Sequence, residues 1–531
     1  MDCKASQLSY KDTGYFTKII LDYLDGNEFL RSFYMHPVSL EGMKAAIHER
    51  EKFDTNREAL VNELKKRYNT VEAIAQVNNN IEKLLSKNTF TITTAHQPAI
   101  FTGTLYFIYK ILHCVSIAEK LSKDFPEKNF VPVYYMGSED ADLDELGKIF
   151  LDGEKIVWDT KQTGAVGRMK TKGLEKIIAR IEGEFSSQPF GNELIQLLKE
   201  CYLDSADVQT ATFKLVHALF AKYGVIVMIA DEQAFKRQML HVFEADLFHQ
   251  TSSAIVGKTI EELSQHYKVQ ANPRAINLFY LKDNLRGRIE KVDDKFIVHD
   301  SAISFTDDEM REELKNHPEH FSPNVILRGM LQETILPNVA FIGGGGEMAY
   351  WLELKNLFAH YNVPYPMLVL RNSFLIIEKK WEEKISRLQL TVKDIFKSKD
   401  TLINELVKSR SANQLSLDKE IDEANKYYDG LKTMANKVDV TLAKHTEALQ
   451  AKALKPLKEL EKKLLRAEKR KFEEEQNQVY KFKSALFPLN NLQERIENFI
   501  PYYAKWGMKF IDMLYENSLS LEQEFVVLYE E

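Results

Sequence analysis

The sequence predicts an α/β protein: an open sheet of buried parallel strands with a ligand site at its carboxyl edge, followed by a long helical coiled-coil arm. Three observations carry that reading. Thr89–Leu121 (TFTITTAHQPAIFTGTLYFIYKILHCVSIAEKL) runs from a β-branched strand through a sharp loop into a long apolar helix. Phe130–Met136 is a nearly continuous apolar run, as in strands buried on both faces, and it leads into the acid-rich block Gly137-Ser-Glu139-Asp140-Ala-Asp142. From about residue 376 glycine nearly vanishes and apolar residues recur at alternating spacings of four and three.

Size and composition bound the rest. A chain of 531 residues implies two or three folding units. With 44% hydrophobic and 28% charged residues it is globular rather than disordered or membrane-embedded. No apolar run reaches the ~18 residues needed to cross a bilayer. The opening MDCKASQLSYKDTGYF carries acids and lacks an apolar core, so a secretory signal is not expected. A net charge of −7 argues against a nucleic-acid partner while leaving room for a local basic pocket. Cys3, Cys114 and Cys201 are scattered, which suits a reducing cytoplasm and gives neither a disulfide framework nor a zinc knuckle. Cys114 reads as an inert buried thiol.

Taken in order, residues 17–87 read as helices, with apolar residues spaced by four through Asn56–Tyr68 and a second helix over Val71–Leu85. Arg57 is expected to be solvated or ion-paired. In the AHQPAIFTG loop Pro98 and Gly103 shape the turn, and a helix opening near Thr104 leaves N–H groups at the sheet edge for a phosphate or carboxylate. His96 and Gln97 stand beside that position. Glu139 and Asp140, just past the carboxyl end of a buried strand, can hold an ammonium group, bond a ribose, carry Mg²⁺ or act as a base. Asp144 and Glu145 match a helix dipole. Residues 147–215 read as a hairpin and amphipathic helices inserted into the sheet domain. Tyr223–Ala230 is a further buried strand ending in Asp231. Residues 235–266 are helical, and His241, Glu244 and His249 lack HExxH spacing. Asn277–Phe305 alternates as a β-meander, within a second insertion at about 275–320. His317-Pro-Glu-His320 reads as a loop.

Val339–Ile342 is a short strand, Gly343–Gly346 a loop, and the next helix begins at Met348. Consecutive glycines let backbone N–H groups curve around phosphate oxygens, although a flexible turn explains them equally, and the run is neither GxGxxG nor a P-loop. Met367–Leu370 is another buried strand, ending in Arg371. Arg328 and Arg371 suit bidentate contact with carboxylate or phosphate. Leu417, Ile421, Ala424, Tyr428, Leu431, Ala435, Val438 and Leu442 form a heptad seam that Pro456 interrupts before a second helix from Leu457. Two such helices predict an antiparallel hairpin that pairs with a second copy of the chain. Glutamates interleave with Lys452–Lys471, so that stretch is a solvated face. After Pro488 the tail is globular again, and its aromatic helix Phe499–Tyr515 should pack back on the sheet domain. The implied division is 1–375, 376–485 for the arm and 486–531 for a returning helical segment.

Four blocks of residues resemble the BshC family, the cysteine ligases of bacillithiol biosynthesis. They are Thr93-Thr-Ala-His-Gln97 with Thr102-Gly-Thr-Leu-Tyr106 and Lys110; Val131-Pro-Val with Ser138-Glu-Asp-Ala-Asp142; Asn324-Val-Ile-Leu-Arg328 with Gln332-Glu333; and Gly343-Gly-Gly-Gly-Glu347-Met-Ala-Tyr350-Trp351 with Arg371-Asn-Ser373. Their order and spacing are similar to the family's, and with the coiled coil the resemblance spans nearly the whole chain. The chain departs from the family's usual pattern at Ala95-His96, at Ala141 and within Gly343–Gly346. The resemblance implies a Rossmann-like core, similar to nucleotidyltransferases and class I aminoacyl-tRNA synthetases, and a homodimer through the coiled coil. It implies an ATP-dependent joining of cysteine to the amine of glucosaminyl-malate, with the metal requirement open. The catalytic candidates are then His96, Gln97, Glu139 and Asp140. Candidates for substrate or nucleotide are Thr102, Gly103, Lys110, Asp142, Arg328 and Arg371. Gly343, Gly344, Gly345, Gly346, Glu347 and Tyr350 join them. The same fold could serve another adenylating enzyme, or a scaffold that has lost catalysis.

Overall fold

In the computed structural model, which describes residues 3–531, the strand Thr89–His96 (β1) is buried along its whole length. It leads through the HQP loop into helix α1 (Tyr106–Asp124), which returns the chain to strand β2 (Asn129–Met136) beside β1. Strand β3 (Ile226–Ile229) continues the sheet on that side. The chain then crosses back through helix α2 (Val325–Ile335), and strand β4 (Asn338–Gly343) pairs with the other edge of β1. Helix α3 (Gly345–Trp351) and strand β5 (Met367–Leu370) complete a five-stranded sheet ordered β5-β4-β1-β2-β3. Every pairing in it is parallel, so the expected α/β class with a buried parallel sheet holds. Phe90, Ile92, Ile342 and Val369 share one apolar cluster with Cys114, Ile117 and Leu121 of α1. Full burial of these β-branched and aromatic side chains, each contributing roughly 1.5–3 kcal/mol, fixes the strands in register.

The chain divides into two compact units. The first comprises the chain up to Lys11, Tyr15–Ile376 and Asn491–Glu531. Its insertions include the hairpin Lys148–Leu151 and Glu154–Val157, followed by helices Leu174–Phe185, Gly191–Tyr202 and Val208–Phe220. The meander is larger than the alternation suggests. Five antiparallel strands run Ser304–Phe305, Lys295–Val298, Leu285–Val292, Leu278–Lys282 and Phe321–Pro323, and the HPEH stretch is a 3₁₀ turn leading into the last of them. The final segment is not wholly helical, since Phe525–Glu530 pairs with Cys3–Leu8 in a sheet that also holds Ser373–Ile377. Arg57 is not left to solvent. Its guanidinium donates to the carbonyls of Leu84 and Thr89, both at 2.9 Å, and pins the helix Arg57–Tyr68 to the start of β1.

The second unit, Asp12–Gly14 with Ile377–Asn490, contains the arm. Helix α4 (Asp418–Val438) and helix α5 (Val440–Lys469) meet at Asp439, where extended backbone and a side-chain cap on the Thr441 amide start the new helix. The break therefore falls at Asp439 and not at Pro456, which lies inside α5. A proline inside a long helix removes one N–H donor and bends it, whereas a capping Asp starts a new one. Gln450 bonds to Asn425 at 2.9 Å and Lys432 pairs with Glu447, so α4 and α5 run antiparallel. Among the described residues no helix is long and apolar enough to cross a membrane.

Candidate functional site

A cavity of about 360 Å³ opens at the carboxyl edge of the parallel sheet, with walls from the ends of β1, β2 and β4. The strand order reverses between β1 and β4, and the connections on either side leave in opposite directions. That parting makes the crevice in which open α/β sheets take ligands.

β1 delivers His96 and Gln97. The His96 ring stacks on Tyr106, its Nδ1 donates to the Gln97 carbonyl at 3.1 Å, and its Nε2 accepts from the Tyr106 hydroxyl at 3.3 Å. Burial, with the Lys110 charge beside it, lowers its pKa to about 3, so the imidazole is neutral with both nitrogens engaged. The Gln97 amide donates to Asp140 Oδ2 at 3.0 Å, and Asp140 Oδ1 accepts from the Asp142 amide at 3.2 Å. Against the upward push of burial, the Gln97 bond and the Arg286 charge hold Asp140 below the usual carboxylate range. The first insertion steadies this acid block. Val166 and Gly167 donate their amides to the carbonyls of Asp140 and Ser138 at 2.7 and 3.1 Å. A Cβ on Gly167 would lie 2.4 Å from that Ser138 oxygen, so the approach requires glycine.

Glu139 pairs with Lys236, whose ammonium is buried and also donates to Asp231 at 3.0 Å and to the Glu319 carbonyl at 3.0 Å. Arg168 grips the other face of Asp231 with bonds of 2.7 and 2.8 Å. Two acids thus meet two bases. Burial raises the Glu139 pKa against the pull of Lys236; Lys236 is itself raised, because Glu139 and Asp231 outweigh its burial. Asp231 is lowered to about 2: burial opposes ionisation, but Lys236 and Arg168 prevail.

Opposite the acids, Lys110 of α1 donates to the Ala95 carbonyl and to Glu347, each at 2.6 Å, and Glu347 also accepts from the Gly344 amide at 2.9 Å. The glycine run is not a free loop: Gly343 ends β4, Gly344 caps α3, and Gly345 and Gly346 are helical. No glycine of the four has positive φ. The tight position is Gly343, where a Cβ would stand 2.9 Å from the Phe341 ring and 3.2 Å from Glu347 Cβ.

Four arginines line the cavity. Arg371 is committed to Glu494 at 2.7 Å, both groups buried, and lies over the Tyr106 ring. Arg328 donates to the Tyr350 hydroxyl at 2.8 Å, and Arg286 donates to Ser322 Oγ at 3.1 Å with its guanidinium over Phe279. Arg495 enters from the returning C-terminal segment. Among the described residues, Arg286, Arg328 and Arg495 form no ion pair with a carboxylate. Their charges are available to an anion. Asp140 and Glu145 likewise form no ion pair among the described residues and are open to an ammonium group or a hard cation.

Of the residues singled out in the sequence, His96, Gln97, Glu139, Asp140, Lys110, Arg328, Gly344, Gly345, Gly346, Glu347, Tyr350 and Arg371 all line this cavity. Gly103 and Asp142 line a neighbouring hollow that shares His96, Tyr106, Glu145 and Arg495. Asp142 also caps the turn Leu143–Leu146, accepting from Glu145. Thr102 is buried apart from the cavity, and Gly343 belongs to the strand. At the start of α1 the Leu105 amide donates to the Glu497 carbonyl at 2.8 Å, so this N–H faces the returning segment instead of a ligand. Lys236, Arg286 and Arg495 went unread in the sequence. Lys236 ends the short helix that opens two residues after Asp231, the only local signal it gives; the others lie in a meander and a turn whose destination spacing does not encode.

The whole-chain comparisons agree with these features. Residues 1–372 match the family described as "Bacillithiol biosynthesis BshC, N-terminal Rossmann-like domain", and 374–530 match "Bacillithiol biosynthesis BshC, C-terminal coiled-coil domain". A protein of Flavobacterium johnsoniae named "Putative cysteine ligase BshC" is 40% identical over 98% of this chain and 99% of its own length. One of the same name from Christiangramia forsetii is 37% identical over 98% of each. Curated relatives thus carry the name of a ligase. With a doubly wound sheet, a ligand cavity at its switch point and a helical hairpin arm, the chain belongs to the BshC family of bacillithiol biosynthesis.

Proposed function

We propose that the protein joins the carboxyl of cysteine to the amine of glucosaminyl-malate, giving bacillithiol, with ATP activating the carboxyl. The observation that carries this reading is the convergence of Arg286, Arg328 and Arg495, none in a direct ion pair among the described residues, on one cavity that Asp140 and Glu139 also line. Phosphates and the carboxylates of cysteine and malate are the anions such groups hold; an amine is the cation those acids hold.

A free carboxylate does not acylate an amine, because oxide is not a leaving group. ATP turns one carboxylate oxygen into a mixed anhydride, either an acyl-adenylate with loss of pyrophosphate or an acyl-phosphate with loss of ADP. The amine lone pair then forms the C–N bond, AMP or phosphate departs, and the ammonium proton passes to a base. The arginines and Lys110 neutralise the charge that develops on phosphate, Asp140 orients the amine, and Glu139 takes its proton. His96, neutral and fully bonded, holds Tyr106 in place. The arm pairs with that of a second copy to form a homodimer.

Incubation with ATP, cysteine and glucosaminyl-malate, with other amines as controls, tests the reading by product mass. The expected product weighs the two substrates less one water, and AMP or ADP identifies the intermediate. A product with a different amine alone redirects the substrate. No nucleotide consumption, and no rise in melting temperature where a ligand at 100 times its Kd would add about 2.7 kcal/mol, leaves a scaffold. Glu139→Gln should lower turnover by roughly 10²-fold or more, measured at saturating substrates; unchanged turnover removes Glu139 as the base.

A further inference from the structure

His317-Pro-Glu-His320, which nothing in the ligation chemistry uses, gathers side chains of one chemical kind. One donor atom from each of His317, Glu319 and His320 lies within 4.8 Å of the other two. The two imidazoles stack with centroids 5.0 Å apart, 18° from parallel, and His317 Nδ1 stands 3.1 Å from Glu319 Oε1. Pro318 fixes the backbone between them, and the His320 amide closes the 3₁₀ turn on the His317 carbonyl at 3.0 Å.

The surroundings hold these groups as a metal site's outer partners would. Glu313 accepts from His320 Nδ1 at 2.6 Å, which sets the tautomer and leaves the Nε2 lone pair for a Lewis acid. The Tyr280 hydroxyl in turn holds Glu313 at 2.7 Å. The second oxygen of Glu319 accepts from Gln233 Nε2 at 2.9 Å. His317 is half exposed, at 50%, and opens the cluster to solvent.

We propose that His317, Glu319 and His320 bind a divalent transition metal of the zinc type, with the remaining positions open to water. Nitrogen and carboxylate donors suit zinc, cobalt or nickel better than the harder magnesium or calcium. Tetrahedral bonds of about 2.0–2.1 Å put donors roughly 3.3 Å apart, inside the 4.8 Å that bounds the present separations, so the side chains turn inward to close on a metal. The site also abuts the ligation cavity's acid network, since the Glu319 carbonyl accepts from the ammonium that pairs with Glu139. A bound metal fixes that carbonyl, and so steadies Lys236 beneath Glu139.

The test uses tag-free full-length protein, stripped with a chelator and titrated with Co²⁺ and then Zn²⁺. The wild type should show visible cobalt bands without thiolate charge transfer, abolished by about one equivalent of zinc. His317→Gln and His320→Gln should each weaken zinc binding by at least 10-fold. Glu313→Gln, which removes an outer partner and no ligand, should weaken it by roughly 10–100-fold. Circular dichroism and the melting temperature check that each variant is folded, and the half-exposed His317 serves if His320→Gln is not. Metal binding equal in wild type and the His317→Gln variant, absence of binding, or cobalt bands of thiolate character lost in Cys3→Ser would each overturn the proposal and leave two plain imidazole–carboxylate pairs.

Discussion

Arg328 and Arg371 both reach the cavity, yet their partners give them different work. Arg371 neutralises a fully buried Glu494, so Arg371→Met strands a carboxylate and should cost about 3–5 kcal/mol of stability in urea unfolding. Arg328 has only a tyrosine hydroxyl as a side-chain hydrogen-bond acceptor, and Arg328→Met should weaken binding of the anionic substrate by about 1.5–3 kcal/mol with a much smaller shift in the unfolding midpoint. Lysine at 328 should not restore binding, since a point charge lacks the planar fork. Glu353 makes a pH-dependent contribution. It accepts from the amides of Gln270 and Ala271, at 2.9 and 3.3 Å, and Gln270 walls the cavity. Burial raises its pKa from 4.5 to about 7, so the folded state holds a proton that the unfolded state has released. Its contribution is therefore complete below about pH 4.5 and is lost as the pH rises to 7. Glu353→Gln, which keeps an acceptor and removes the charge, should gain up to about 3 kcal/mol over wild type at pH 8 and lose that advantage at pH 4.5, read from melts at the two pH values.

The elements differ in how far sequence betrayed them. β2 and β5 announce themselves because a strand covered on both faces admits few polar residues, and the acids after β2 stand out against that run; β1, with four buried threonines, is legible instead from its β-branched side chains before a sharp loop. The arm was legible as helix and heptad but not in its turning point. The seam Val438–Leu442 keeps its spacing across Asp439, where the chain reverses, and Pro456 breaks the pattern where the helix does not end. A hairpin of two helices covers only part of its apolar surface: Ile421, Ala424, Tyr428 and Leu431 are half-buried, whereas Tyr427, Met434, Val438, Leu449 and Leu460 remain exposed. Charge placed there should separate the proposed dimer without melting the hairpin. Met434→Glu with Leu460→Glu is expected to shift the mass in light scattering from two chains to one, at unchanged helical circular dichroism; a wild type that is already monomeric removes the dimer. The site's missing half was illegible for another reason. Lys236 reaches Glu139 from the short helix that follows β3, and Arg286 reaches the cavity from the meander insertion; sequence distance carries no record of that convergence.

At the scale of the molecule, the segment after the arm completes the first unit. Asn498 donates to the carbonyls of Phe101 and Gly103 at 2.8 and 2.5 Å, closing a loop in which Phe101, Thr102 and Gly103 all have positive φ. Two non-glycine residues in that conformation store strain that the neighbours must hold. Asn498→Ala leaves two buried carbonyls short of a donor and should lower stability by roughly 1–3 kcal/mol each, seen as a fall in melting temperature. The pairing of Arg371 with Glu494 also spans 123 residues, with the whole arm between them. On the ribosome, the guanidinium is made long before the acid that neutralises it, and a nascent chain must spin out both helices of the arm first. Until then the crevice has an unpaired cation on its floor and no Arg495 in its wall, so its charge balance and the finished body arrive together, late in translation.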